Sequence, residues 1–160
     1  MSPAPLIGAV LSDDAAMELA LEQARLAGGH GDVPVGAVTL HEGRLVAARR
    51  NERELTGDPT AHAEVLALRD TATALGSWRL SGVTLVVTLE PCAMCAGALV
   101  AARVGRLVFG AHDPRAGACG TLFNLVQDPR LNHEVPITAG VRSTEAGTLL
   151  TSFFAAKRGR

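Results

Sequence analysis

A chain of 160 residues with 48% apolar and 19% charged side chains can bury a substantial core, and its composition excludes disorder. A net charge of −1 excludes a broad basic surface for nucleic acid, and the lack of tyrosine, with one tryptophan and four phenylalanines, argues against a base-stacking platform. Three cysteines are too few for a disulfide scaffold and no apolar stretch reaches bilayer length, so a reducing, cytoplasmic setting without membrane contact is expected.

The opening Met1 to Leu11 carries no basic region ahead of its short apolar run, and acids follow it, which is not the pattern of a secretory signal. One domain over 1–160 is expected, with 1–11 as a flexible N-terminal extension. A first helix is predicted from about Asp13 to Ala27, capped by Ser12 or Asp13 and stopped by Gly28-Gly29. Val33 to Leu40 and Leu45 to Arg49 read as a hairpin around His41-Glu42-Gly43-Arg44. A second helix is predicted from Ala61 to Gly76. The β-branched run Val83 to Leu89 is typical of a buried central strand. Pro91 is expected at the first helical position of a third helix, which runs from Cys92 to about Arg103. Arg106 to Gly110 is the next strand, followed by an irregular Gly-rich loop through Gly120. Val135 to Val141 forms the last strand, and Ser143 caps a C-terminal helix ending near Lys157. This alternation of helix and strand is an α/β pattern without internal repeats.

Two motifs carry chemistry. They are His62-Ala63-Glu64 and, about thirty residues on, Pro91-Cys92-Ala93-Met94-Cys95. One histidine and two cysteines make three ligands for a zinc ion, and three protein ligands leave a fourth position open, as in a catalytic site. Cys92 and Cys95, three apart, share one helix face, and the positive end of that helix favours their thiolates. His62 and Glu64 are two apart, which on a regular helix turns them about 200° from one another. Both can face one ion only if it lies off the first turn, so two helix N-termini are predicted to meet at one zinc. Glu64 is read as the general acid/base and not as a ligand. It takes the proton of an activated water and delivers protons to the substrate ring and to departing ammonia.

Blander readings stand beside this one. A CxxC opening a helix after a buried strand is also the thioredoxin-like redox arrangement. Cys119 could complete a closed Cys3His site that holds the fold and catalyses nothing, although such a site gives Glu64 no role. As a small apolar residue Cys119 needs no further account. His30, His41, His112 and His133 have no partner at ligand spacing, and packing or solvent roles are their default.

H-x-E followed by P-C-x-x-C is the signature of zinc nucleobase deaminases, and the chain resembles the bacterial tRNA-specific adenosine deaminases of the cytidine-deaminase-like superfamily. The resemblance runs from about Met17 to Phe154. Val33 to Val38, Asn51, Asp58 to Glu64, Thr88 to Ala98, Arg103 to Ala111, Asp113 and Asn132-His133 carry it. It implies a three-layer α/β/α fold with a mixed five-stranded sheet, one zinc per subunit and a homodimer. The reaction it implies is hydrolysis of adenosine to inosine at the wobble position of a tRNA anticodon stem-loop. It further implies that Asn51 contacts the flipped purine and that Asp113 lies beside the neighbouring sugar, with Ala63 and Val35 also against the substrate. The zinc residues are shared with deaminases of free guanine or cytosine, and a zinc-stabilised RNA-binding module without catalysis is a further alternative.

Overall fold

The computed structural model describes residues 8–159. Most of the N-terminal extension, residues 1–7, lies outside them; of the rest, Gly8 accepts a hydrogen bond from Arg44, and Leu11 donates to the Gly43 carbonyl.

Helix α1 (Asp13–Gly29) begins where Ser12 accepts the Ala15 N–H and where Asp13 and Asp14 face the positive helix end. It runs two residues past the expected end at Ala27, through Gly28 and Gly29, because Gly31 and not Gly28 takes the left-handed conformation. Strands β1 (Gly36–His41) and β2 (Arg44–Arg50) pair antiparallel through a two-residue turn in which Glu42 and Gly43 both have positive φ. β1 starts three residues later than predicted, since Pro34 has no N–H to give a ladder and the Val35 N–H turns back to Val33.

A one-turn helix α2 (Arg53–Thr56) precedes α3 (Ala63–Leu75), which ends at left-handed Gly76 as predicted. Strand β3 (Val83–Leu89) matches its predicted bounds. Helix α4 (Ala93–Ala101) starts later and ends earlier than expected. Pro91 is not its first residue: it lies before the N-cap Cys92, in a segment whose carbonyl accepts the Ala118 N–H. Strand β4 (Arg106–Ala111) follows. The last strand, β5 (Ile137–Ala139), is cut from the expected seven residues to three. Pro136 cannot donate, the Val135 N–H is spent on Val126, and Gly140 turns the chain away. In helix α5 (Ser143–Arg158) the N-cap is Arg142, at φ 52°, and not Ser143.

The strand order is β2-β1-β3-β4-β5, with β1 antiparallel to both neighbours and β3, β4 and β5 parallel. Alternate residues supply two cores. Ala37, Leu85, Val87, Leu107 and Phe109 meet α3 and α4 on one face, while Val38, Val86 and Val108 meet α1 and Ala146 of α5 on the other. This is the expected three-layer α/β/α arrangement. Among the described residues no helix is long and apolar enough to cross a membrane.

Gly36 lies where α1 crosses β1. A Cβ there would fall 2.6 Å from the Ala24 nitrogen and 2.8 Å from the Gln23 Cβ, and would meet the Ala20 carbonyl oxygen. Backbone cannot yield as a side chain does. Gly36→Ala is therefore expected to cost about 3 kcal/mol in urea unfolding, because α1 must lift from the sheet.

Candidate active site

The β3–α4 connection leaves the sheet at the C-terminal end of a parallel strand, where α/β folds place their ligands. Glu90, Pro91 and Cys92 span it, and Cys92 becomes the N-cap of α4 with extended backbone (ψ 176°). Cys95 is then the third residue of the helix, buried beneath Cys92. On the same face of the sheet, His62 is the N-cap of α3, also extended (ψ 149°), and Glu64 is the second helical residue. The 200° objection disappears because His62 is not in the helix. Its side chain and that of Glu64 leave from either side of the bend between extended and helical backbone.

His62 Nδ1 lies 3.6 Å from Cys92 Sγ and 3.5 Å from Cys95 Sγ, and all three donor atoms fall within 4.8 Å of one another. With ordinary zinc–sulfur and zinc–nitrogen bond lengths, a tetrahedral ion spaces such an S···N pair by about 3.6 Å. The donor set and its spacing fit zinc. Cys119 does not join the group. It is buried in the core between α4 and the sheet, with its thiol 3.9 Å from the Pro91 carbonyl.

Electrostatics here follow from burial and from hydrogen bonds among the side chains of the triad. Glu64 is only 4% exposed, and desolvation raises its carboxyl above the usual carboxylate range. The Cys92 thiol is lowered to about 4, first by its hydrogen bond with Cys95 and then by His62. Cys95 moves up, because it shares its proton with Cys92 and because it is buried. His62 is raised by its hydrogen bond to Cys92.

These residues open into a cavity of about 160 Å³. Val35, Asn51, Ala63 and Asp113, all named from the sequence, line it together with His62, Glu64 and Cys92. Asn51 is held by its own backbone surroundings: its amide donates to the Val33 carbonyl, and its oxygen accepts the Arg53 N–H. Asp113 Oδ1 accepts the N–H groups of Arg115 and Ala116 and closes a turn at the mouth. A second groove, of about 430 Å³, shares Val33, Leu89 and Asp113 with the cavity and is flanked by Arg115, Phe154 and Arg158.

Sequence reasoning missed Arg53, Leu89, Glu90 and Ala116, which also line the cavity. Glu90 had a legible signal, an acid at the end of a buried apolar run just before Pro-Cys. Of the remaining histidines, His133 donates to the Val104 carbonyl, His30 lies against Asp32 and Arg50, and His112 lies beside Glu90 and Thr121, whereas the buried Nδ1 of His41 has no hydrogen-bond partner among the described residues.

The profile of the MafB19-like deaminase family matches residues 11–158. The tRNA-specific adenosine deaminase of Bacillus subtilis is 47% identical over 142 residues, covering 89% of this chain and 88% of that protein. Among solved structures, a tRNA deaminase performing A-to-I editing at the wobble position superposes with a TM-score of 0.82 at 42% identity, over 84% of this chain and 98% of the other. A guanine deaminase from Nitrosomonas europaea shares the fold with a TM-score of 0.77 at 27% identity, over 96% and 90% of the two chains. The two folds superpose to a similar degree, and it is the sequence identity that is higher on the tRNA side, 42% against 27%. With a deaminase profile over nearly its whole length, the chain belongs to the tRNA-specific adenosine deaminase family of the MafB19-like deaminases.

Proposed function

We propose that this protein hydrolyses adenosine to inosine at the wobble position of a tRNA anticodon stem-loop, with one zinc held by His62, Cys92 and Cys95 and with Glu64 as the proton carrier. The observation that carries the reading is the buried Glu64 carboxyl beside a His/Cys/Cys triad, in a cavity of single-base dimensions. When bound, zinc supplies Lewis acidity that activates water at neutral pH. Glu64, held out of bulk solvent, takes the proton of the attacking water. It passes that proton to the purine ring nitrogen, then takes the remaining proton of the added hydroxyl and delivers it to the amine, which departs as ammonia while the carbonyl of inosine forms. Its raised affinity for protons suits both halves of this work.

Val35 and Ala63 offer apolar walls to the base, and Asn51, fixed by its two backbone bonds, presents an oriented amide edge. Asp113 sits at the mouth, where a neighbouring ribose passes and its 2′-hydroxyl distinguishes RNA. The adjoining groove, with Arg115 and Arg158, supports a flanking phosphate backbone and gives a near-neutral chain a local basic surface. A flipped base costs little to present in a single-stranded loop. The homodimer is proposed through the outer face of α3 and α4, where α4 carries no charge and Leu68, Ala72, Trp78, Ala98 and Ala101 line an apolar groove.

Incubating the protein with an RNA anticodon stem-loop bearing wobble adenosine is expected to give the gain of about 1 Da that marks inosine. Free guanine, cytosine and adenosine in parallel reactions should remain unchanged. Turnover of a free base with none of the stem-loop would refute the tRNA assignment and leave the zinc chemistry standing. A monomer mass for the same preparation by sedimentation would refute the dimer.

A further inference from the structure

Glu90 is the last residue before Pro91 and Cys92, and it is 2% exposed. Its backbone N–H continues the sheet by donating to the Ala111 carbonyl at 2.8 Å. Its carboxylate turns into the loop that follows β4. Oε1 accepts the Asp113 N–H at 3.0 Å, and Oε2 accepts the N–H groups of Cys119 and Thr121, each at 3.0 Å. The Thr121 hydroxyl donates to Oε1 as well, and His112 Nδ1 lies 3.4 Å from that oxygen. No lysine or arginine pairs with this carboxylate among the described residues; three backbone N–H groups and a hydroxyl satisfy it in its buried position.

The loop is shaped to admit this one side chain. A Cβ at Gly117 would lie 2.5 Å from both carboxylate oxygens, so any larger residue there would have to push the Glu90 carboxylate off its donors. Residues 120–124 are exposed and contribute little apolar burial of their own. Within the path from His112 to Thr121, Ala118 and Cys119 are anchored by packing in the core, and hydrogen bonds to Glu90 tie down the stretches on either side of them. That path carries Asp113 and Ala116 on the cavity wall and Arg115 in the adjoining groove.

We infer that Glu90 is a positioning residue for substrate recognition: it ties the 112–121 loop to the segment that leads into Cys92, and so holds Asp113 in register with the metal-binding triad. The inference rests on the deaminase reading above. The carboxylate acts through the loop and leaves the chemistry to Glu64.

The test uses the full-length protein, with Glu90→Gln and the milder Thr121→Val. Glu90→Gln turns one acceptor oxygen into a donor facing N–H groups. It is expected to raise KM for the stem-loop about tenfold with kcat within about threefold of the parent, since a loop shifted by a fraction of an ångström loosens binding more than chemistry. Zinc content should stay at the parental level. Thr121→Val is expected to raise KM about threefold by removing one of the donors. On an Asp113→Ala background, Glu90→Gln should add less than about twofold, because both changes break the same contact. Hydrogen exchange, read without substrate, should quicken at the amides of Asp113, Cys119 and Thr121 in both variants. Parental KM and exchange in Thr121→Val would overturn the inference even if Glu90→Gln did not fold. Effects that multiply with Asp113→Ala, or loss of zinc with a fall in kcat, would overturn it as well. A wild-type protein inactive on the stem-loop would instead sink the deaminase reading, and the exchange data would still decide whether Glu90 holds the loop.

Discussion

Glu64→Gln is expected to lower kcat on the anticodon stem-loop by about 10⁴-fold while leaving zinc content, fold and KM near their parental values. Glutamine keeps the shape and one hydrogen-bonding oxygen of the side chain but can neither accept nor return a proton. Every proton movement of the hydrolysis passes through this position in the proposed mechanism, so no step is spared. The site is buried, at the second residue of α3, and an isosteric neutral group there adds no desolvation cost. The fold should therefore be at least as stable as the parent by thermal melting. Single-turnover kinetics with mass detection of inosine provide the measurement. A variant retaining a tenth of parental kcat would remove Glu64 from the proton path, and retained RNA binding with no chemistry in the parent itself would favour a non-catalytic module.

Much of the site could be read in the chain because its parts are short and local. His62-Ala63-Glu64 and Cys92 to Cys95 each fall at a helix start, within two residues of where the sequence places one. The β-branched run Val83 to Leu89 gave the right strand bounds because both its faces are buried, leaving no alternative register. What was not legible depends on distant partners. Helix α2 has a single turn and no side-chain cap from its N-cap Glu52; its Glu54 and Leu55 N–H groups are satisfied by Asp32, about twenty residues upstream and fully buried. The loop after β4 looked irregular because its organising group, Glu90, lies on the far side of α4 in sequence. Pro136 shortens β5 because it offers a carbonyl but no N–H, whereas Pro91 falls outside α4 because its carbonyl is engaged by the Ala118 N–H and Cys92 takes the N-cap. The angular conflict between His62 and Glu64 assumed a regular helix from Ala61, and the N-cap geometry of His62 resolves it.

Cys95→Ala is expected to abolish both zinc binding and activity, whereas Cys119→Ala is expected to keep one zinc per chain and most of the activity. The two thiols are both buried, so burial alone does not separate them. Geometry does: Cys95 Sγ lies 3.5 Å from His62 Nδ1, while the Cys119 thiol faces the Pro91 carbonyl inside the core. Removing Cys95 leaves His62 and Cys92, two donors where a tight zinc site needs three or four. Zinc bound to the native state alone stabilises it by about 2.7 kcal/mol at a hundredfold excess over Kd, so Cys95→Ala should lose that increment and melt lower than the parent in zinc-containing buffer. The parent stripped by a chelator should melt at nearly the same temperature as this variant, and adding zinc should rescue only the parent. Cys119→Ala removes one small buried group and should cost about 1 kcal/mol with no change in zinc response. Elemental analysis of the two variants separates the three readings of the cysteines. Zinc lost in both would mean a closed Cys3His site, and zinc absent from the parent, with a reversible Cys92–Cys95 disulfide, would mean redox chemistry. Zinc lost only with Cys95 leaves a three-ligand site with an open position next to Glu64, which is the arrangement hydrolysis requires.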